Sequence, residues 1–248
     1  MKKRHLAASI LAIVILVLWQ LLAMKVNIPH IIPSPVAIVK KTWELRETLF
    51  LVQLPVTLYT IVVGFLISVG ISLVLATAME EFEVVEAMFY PVLVVTQTIP
   101  VMCISPLFVL WFGYTQTARI IAVVLATFFA ITLNVFDGLK RTDVRKIELM
   151  QTIGASALQI FLHVKVPTAL PMFLTALKMT LPWAVIDAAV AEWLGANEGL
   201  GYFSKRMIST MDGPAVFAPV LILTIIALMG MAILNLIDKK VGIYRSEV

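Results

Sequence analysis

The sequence predicts an all-α, polytopic integral membrane protein with about six transmembrane helices. Three observations carry this. Of 248 residues, 61% are hydrophobic and only 14% charged, with a mean hydropathy of +1.00. Apolar runs of about 20 residues recur, the length a helix needs to cross a hydrocarbon core about 30 Å thick. The alternating ten-residue patterns of an outer-membrane barrel do not occur. Such a composition excludes a soluble fold of one or two domains.

The first apolar run covers roughly 6–24, behind Lys2, Lys3 and Arg4. It exceeds the usual 7–15 residues of a signal-peptide core and lacks a clear A-x-A site, so a retained anchor is expected. Ile32-Pro33-Ser34-Pro35 is an extended entry, because a residue before proline is pushed out of the α region. Residues 36–50 then alternate apolar and charged positions at helical spacing, predicting a helix in the interface with Trp43 at headgroup level. The remaining runs lie at about 56–79, 87–112, 118–137, 171–193 and 215–237. Pro100 and Pro106 interrupt the third span. A break at membrane depth survives where protein or a water-lined cavity satisfies the freed backbone groups, so 96–106 is a candidate lining of a solute path, with an ordinary proline kink as the alternative. No linker or repeat divides the chain, which reads as one domain over 1–248 with a core of about 52–240.

Orientation follows from Lys and Arg. With the N-terminus in the cytoplasm, 11 of these residues fall inside and 7 outside, while Lys178 lies within the fifth span. Six spans put both basic termini inside, together with the acidic corner at 80–83 and the segment at about 138–170. The +4 net charge is accounted for by residues flanking the spans, so it argues for a lipid bilayer and not for nucleic acid. One cysteine, Cys103, forms no internal disulfide and reads as a small buried apolar residue. No P-loop, H-E-x-x-H or G-x-S-x-G pattern occurs, and His5, His30 and His163 are scattered. No cofactor, metal or catalytic centre is expected.

The segment between the fourth and fifth spans is too polar to cross a bilayer and too apolar for a solvated loop. Thr142 can cap a helix beginning at Asp143, whose carboxylate suits the positive helix end. Val144, Ile147, Met150 and Ile153 recur every three residues as one apolar stripe. Gly154 suits the left-handed conformation that ends such a helix. Ser156 and Gln159 have capping-box spacing, so a second short helix is expected to start there and to end before Pro167. Two amphipathic helices bent at Gly154 can lie in headgroups or fill a groove on another protein; periodicity does not decide between them.

The spacing Glu148, Gly154, Val164 and Pro167 resembles the EAA loop of the permease subunits of bacterial ABC importers, E-A-A-x3-G-x9-I-x-L-P. Leu149 and Met150 stand where that loop has alanines, and valines replace its Ile and Leu. The resemblance extends to I-P-S-P at 32–35, "TLYTIVVGF" at 57–65, "SPLFVLWFG" at 105–113 and "AEWLGANEGLGY" at 191–202. These are similar to the branch that imports nitrate, taurine, alkanesulfonates and thiamine-precursor pyrimidines. The resemblance implies a type I importer (MetI-like) fold, a homodimeric permease, a cytoplasmic ATP-binding subunit and an extracytoplasmic solute-binding protein. It also implies that Val144, Ile147, Glu148, Met150, Gly154, Ala155 and Pro167 dock the ATPase. Hydrolysis would occur on that partner, whose closure would pivot the fourth and fifth spans and alternate access to the path. A scaffold that recruits a cytoplasmic protein through the same loop is the alternative.

Intramembrane ionisable residues are costly and face a bundle interior or water. Lys178 and Asp187 in the fifth span are nine residues apart, about 13 Å along a helix, too far to pair on a straight helix. The family branch often has a basic residue at Lys178 and an acid at Glu192, but supplies none at Asp187. Lys178, Asp187, Glu192, Pro100 and Pro106 are therefore the candidate path residues, with pairing between neighbouring helices as the alternative for the acids. Glu198-Gly199-Leu200-Gly201-Tyr202 suits a tight outer turn, as a gate, a partner contact or a simple connection. Phe108, Trp111, Phe112 and Tyr114 read as an interfacial belt.

Overall fold

A computed structural model describes the backbone of residues 2–245, with side chains over 10–240. Among the described residues the chain is helical, with no strand. The elements are α1 (Lys2–Val26), α2 (Pro35–Glu44), α3 (Leu54–Glu81), α4 (Glu83–Thr96), α5 (Val101–Phe112), α6 (Gln116–Lys140), α7 (Val144–Thr152), α8 (Ala157–Ile160), α9 (Val166–Gly195), α10 (Leu200–Ile208) and α11 (Gly213–Arg245). Four continuous helices are long and apolar enough to cross a membrane: 47–81, 116–140, 157–195 and 213–240. The pair α4–α5 is apolar enough only when taken together and is bent by 102° at the residues between its helices, the form of a broken span or a re-entrant loop. The N-terminal run is helical as expected, and its described part, Ile10–Val26, is apolar but just short of an 18-residue spanning window. It touches the rest through Trp19 against Phe217, with ring centroids 6.5 Å apart, and through Gln20, which accepts from the Val36 N–H.

The interfacial helix is shorter than its pattern suggests. Ser34 caps it by accepting from the Ala37 N–H, Pro35 occupies the first turn, and it ends at Glu44. Residues 47–53 instead form a π-helical turn that runs straight into α3, lengthening the second span to 47–81. Periodicity could not separate the two because both are helical. Trp43 is exposed beneath the Arg46 guanidinium, 4.9 Å from its ring centroid.

The core is the layer α3–α6–α9, with α6 between its two neighbours. Lipid tails are as apolar as leucine, so close approach and interhelical hydrogen bonds hold such a layer together. Gly64 lets α3 approach α6 so closely that a Cβ there would lie 2.8 Å from Val123. The Thr127 hydroxyl donates to Ser68 Oγ at 2.8 Å and Ser72 donates to the Phe128 carbonyl at 3.0 Å. On the other side of α6, Gly138 fits against Ala169. Ile131, Val135, Phe136 and Leu139 of α6 then pack with Met79 of α3 and Leu174 of α9.

Two expectations about proline are corrected. Pro106 does not interrupt its span, because it sits inside α5, and the break lies wholly at Gln97–Pro100. The helix after Gly154 does not end before Pro167 either. A π-helical turn at Phe161–Lys165 precedes Pro167, and the helix runs unbroken from Ala157 to Gly195. Proline cannot donate to the α-helical ladder, and the π turn just before it supplies the change in winding that lets the helix continue through Pro167.

Candidate functional site

The first candidate site is the exposed elbow between α6 and α9. Asp143, not Thr142, caps α7: its Oδ1 accepts from the Arg145 N–H at 2.9 Å, while Thr142 is buried and donates back to the Leu139 carbonyl. Both residue types cap well, so sequence could not choose between adjacent positions. At the other end Gly154 takes φ +81. Its N–H donates to the Gln151 carbonyl and the Ala155 N–H to the Met150 carbonyl, both at 2.9 Å. This is a Schellman ending, which needs the left-handed residue that glycine supplies. Ser156 and Gln159 then form a complete capping box. The elbow presents Val144, Leu149, Ile153 and Leu158 to the outside, each more than 60% exposed, with Ile147 and Met150 half-buried. Met150, Gly154 and Ala155 line a hollow of about 350 Å³ with Gln159 and His163. The Glu148 carboxylate is exposed and makes no hydrogen bond among the described residues.

Two ion pairs hold the elbow's flanks, and sequence reasoning missed both. Lys165 donates to both Glu80 oxygens at 2.7 and 3.0 Å, and Lys140 reaches Glu86 at 2.5 Å. Both acids flank the corner between α3 and α4. The acidic run at 80–83 was visible, but partners 85 and 54 residues away leave no local trace.

The second candidate site is a cavity of about 240 Å³ at the α4–α5 break, lined by Thr96, Gln97, Pro100, Phe129, Trp183 and Asp187 among others. It joins two of the sequence candidates, Pro100 and Asp187. The other candidates lie elsewhere. Lys178 pairs with Asp238 of α11. Glu192 is fully buried and is occupied inside the fold, where its Oε2 accepts from the Gly201 N–H at 2.8 Å. Around it, Gln53 accepts from the Gly199 N–H and Thr57 from the Leu200 N–H. Arg119 donates to the Glu198 carbonyl at 3.2 Å. The 198–202 stretch is thus an interior brace: Gly199 caps α10 at φ +122 and Gly201 is its second residue. Phe108 is buried, whereas Trp111, Phe112 and Tyr114 are exposed. Cys103 is exposed, contrary to the expectation of burial, because α5 leaves that face uncovered.

A larger cavity of about 490 Å³, bordered by Val185, Leu223 and Met231, lies between α9 and α11. Its hydroxyls, Ser204 and Thr224, already donate to the Val216 and Val220 carbonyls, so it offers a polar solute little.

Residues 68–243 match the family described as binding-protein-dependent transport system inner membrane component. The chain belongs to this family. Among curated relatives, it is 45% identical over 234 residues to the formylaminopyrimidine transport permease protein ThiX of Halalkalibacterium halodurans, covering 94% of each chain. It is 24% identical to the taurine transport system permease protein TauC of Escherichia coli, over 98% of this chain and 90% of that one. Among solved structures, it superposes on an amino acid ABC transporter chain with a TM-score of 0.64 at 18% identity, covering 83% of this chain and 97% of that one. The methionine transporter MetNI, solved in an inward-facing conformation, gives 0.53 at 21% identity, with 80% and 94% covered. At these identities the solved structures establish the fold, the MetI-like arrangement of ABC importer permeases. Permease subunits of this family are not enzymes; ATP hydrolysis lies on a separate subunit.

Proposed function

We propose that this permease carries a small solute, a thiamine-precursor pyrimidine, across the cytoplasmic membrane by ATP-driven alternating access. The observation that carries the transport reading is the elbow at Gly154, which presents apolar side chains that nothing among the described residues covers. A cytoplasmic ATP-binding subunit with a surface groove is the partner this shape fits, with Val144, Ile147, Glu148, Met150, Gly154 and Ala155 at the contact. Pro167 joins the elbow to α9 without a break, so movement of the elbow is carried into that helix. An extracytoplasmic binding protein would deliver the solute to a permease homodimer whose termini face the cytoplasm. The pyrimidine reading is supported by 45% identity to a formylaminopyrimidine permease, against 24% to a taurine permease.

The test is reconstitution of the permease with its ATP-binding subunit and binding protein in proteoliposomes. ATP-dependent accumulation of formylaminopyrimidine, well above that of taurine, is expected. Accumulation of no solute, with ATPase activity unaffected by the binding protein, would end the importer reading.

In this mechanism the Glu80–Lys165 pair ties the elbow's outgoing flank to α3. Lys165→Met is expected to lower uptake by roughly threefold to tenfold, the range of a partly screened charged hydrogen bond. The exchange Glu80→Lys with Lys165→Glu should recover part of it. Uptake by Lys165→Met equal to wild type would remove the pair from the coupling route.

A further inference from the structure

We infer that the cavity at the α4–α5 break is a solute subsite in which the Asp187 carboxylate takes the amino edge of a nitrogen heterocycle. The inference rests on the importer reading and names the chemistry of its path. Asp187 is half-buried on a membrane-spanning helix and lines the cavity, with no hydrogen bond or ion pair among the described residues. An acid at such a position is costly against lipid and belongs on a water-filled path or against a partner that donates to it. Of the other sequence candidates, Glu192 accepts from Gly201 and Lys178 pairs with Asp238, and neither lines this cavity. Asp187 is the one ionisable group among the described residues that lines this cavity.

The rest of the lining narrows the ligand. The Gln97 side chain, also without a partner among the described residues, offers a donor and an acceptor from the broken backbone. Phe129 and Trp183 supply aromatic surface. The volume of about 240 Å³ is below the 300–1,000 Å³ usual for drug-sized ligands and suits a single substituted ring. No lysine or arginine lines the cavity, and the carboxylate repels anions. A sulfonate or nitrate therefore finds no counter-charge there. A ring bearing an amino group beside a ring nitrogen presents donors to Asp187 and flat faces to Phe129 and Trp183. Protonation of that edge would strengthen the contact through a charge-assisted hydrogen bond.

The full-length permease in nanodiscs is titrated with formylaminopyrimidine, with the analogue carrying hydrogen in place of the ring amino group, and with taurine. The signal is the tryptophan quenching that Trp183→Phe removes. Wild type is expected to bind the amino compound about tenfold more tightly than the deamino analogue, and Asp187→Asn to erase that preference while leaving ATPase assembly unchanged. Asp187→Glu should keep part of it, which a merely structural role would not produce. A preference retained in Asp187→Asn, an equal loss for both rings, or tightest binding of taurine would overturn the subsite. Those results alongside intact ATP-driven uptake overturn the subsite alone. Asp187-dependent binding without ATP-driven uptake overturns the importer reading alone.

Discussion

Gly154→Pro abolishes ATP-driven uptake, by at least about tenfold, while the chain still inserts and folds. Proline fixes φ near −65°, whereas Gly154 sits at +81. The substitution also removes the N–H that donates to the Gln151 carbonyl. The Schellman ending cannot form, so the direction in which α7 approaches α8 changes and the exposed stripe no longer presents one surface. The cost stays local to the elbow, because Gly154 is exposed and a Cβ there would meet nothing within 4 Å. Gly154→Ala separates conformation from bulk: only the left-handed strain remains, about 1 kcal/mol, and uptake should fall by roughly fivefold or less. Measuring uptake, ATPase stimulation and membrane yield together checks this. Wild-type uptake by Gly154→Pro would sink the docking reading.

Gly201→Ala has the opposite signature, a loss of folded protein. A Cβ at Gly201 would lie 2.1 Å from the Ala189 carbonyl oxygen, and that oxygen belongs to a helix backbone that cannot rotate away. Relief requires moving α10 off α9, which breaks the Gly201 N–H bond to Glu192 and leaves a fully buried carboxylate without its donor. Overpacking of a tight core costs about 1–3 kcal/mol, and a rigid neighbour together with a stranded acid puts this case at or beyond the upper end. Thermal unfolding in detergent and the yield of monodisperse protein are the readouts. A melting curve like that of wild type would mean that α9 and α10 pack less closely than described.

The elbow was legible from sequence because its determinants are local. Asp143, Gly154, Ser156 and Gln159 act on backbone within three residues of themselves, and the apolar stripe repeats within one helix. The error at Thr142 is of the same kind, a choice between two neighbouring caps. The two prolines differ from a sequence reading as breaks because α5 continues through Pro106 and a π turn precedes Pro167. The brace around Glu192 was illegible for another reason. Gln53 and Thr57 hold the turn by accepting from the Gly199 and Leu200 N–H, Gly201 donates to the acid, and only the folded layer brings these three elements together. Asp187 was visible as an oddity, but the difference between it and Glu192 appears only when one faces a cavity and the other a turn.

The bend between α4 and α5 also constrains how the chain enters the membrane. At 1.5 Å per residue, the 14 residues of α4 reach about 21 Å and the 12 of α5 about 18 Å. Neither reaches across a hydrocarbon core of about 30 Å. A nascent chain halted after α4 would leave the carbonyls at Thr96 and Gln97 in hydrocarbon without partners. The pair therefore has to be delivered as one unit, and α6 and α9, which wall its open side, have to arrive before it can settle. Settling of this early segment therefore depends on two later ones, α6 and α9, which pack against it.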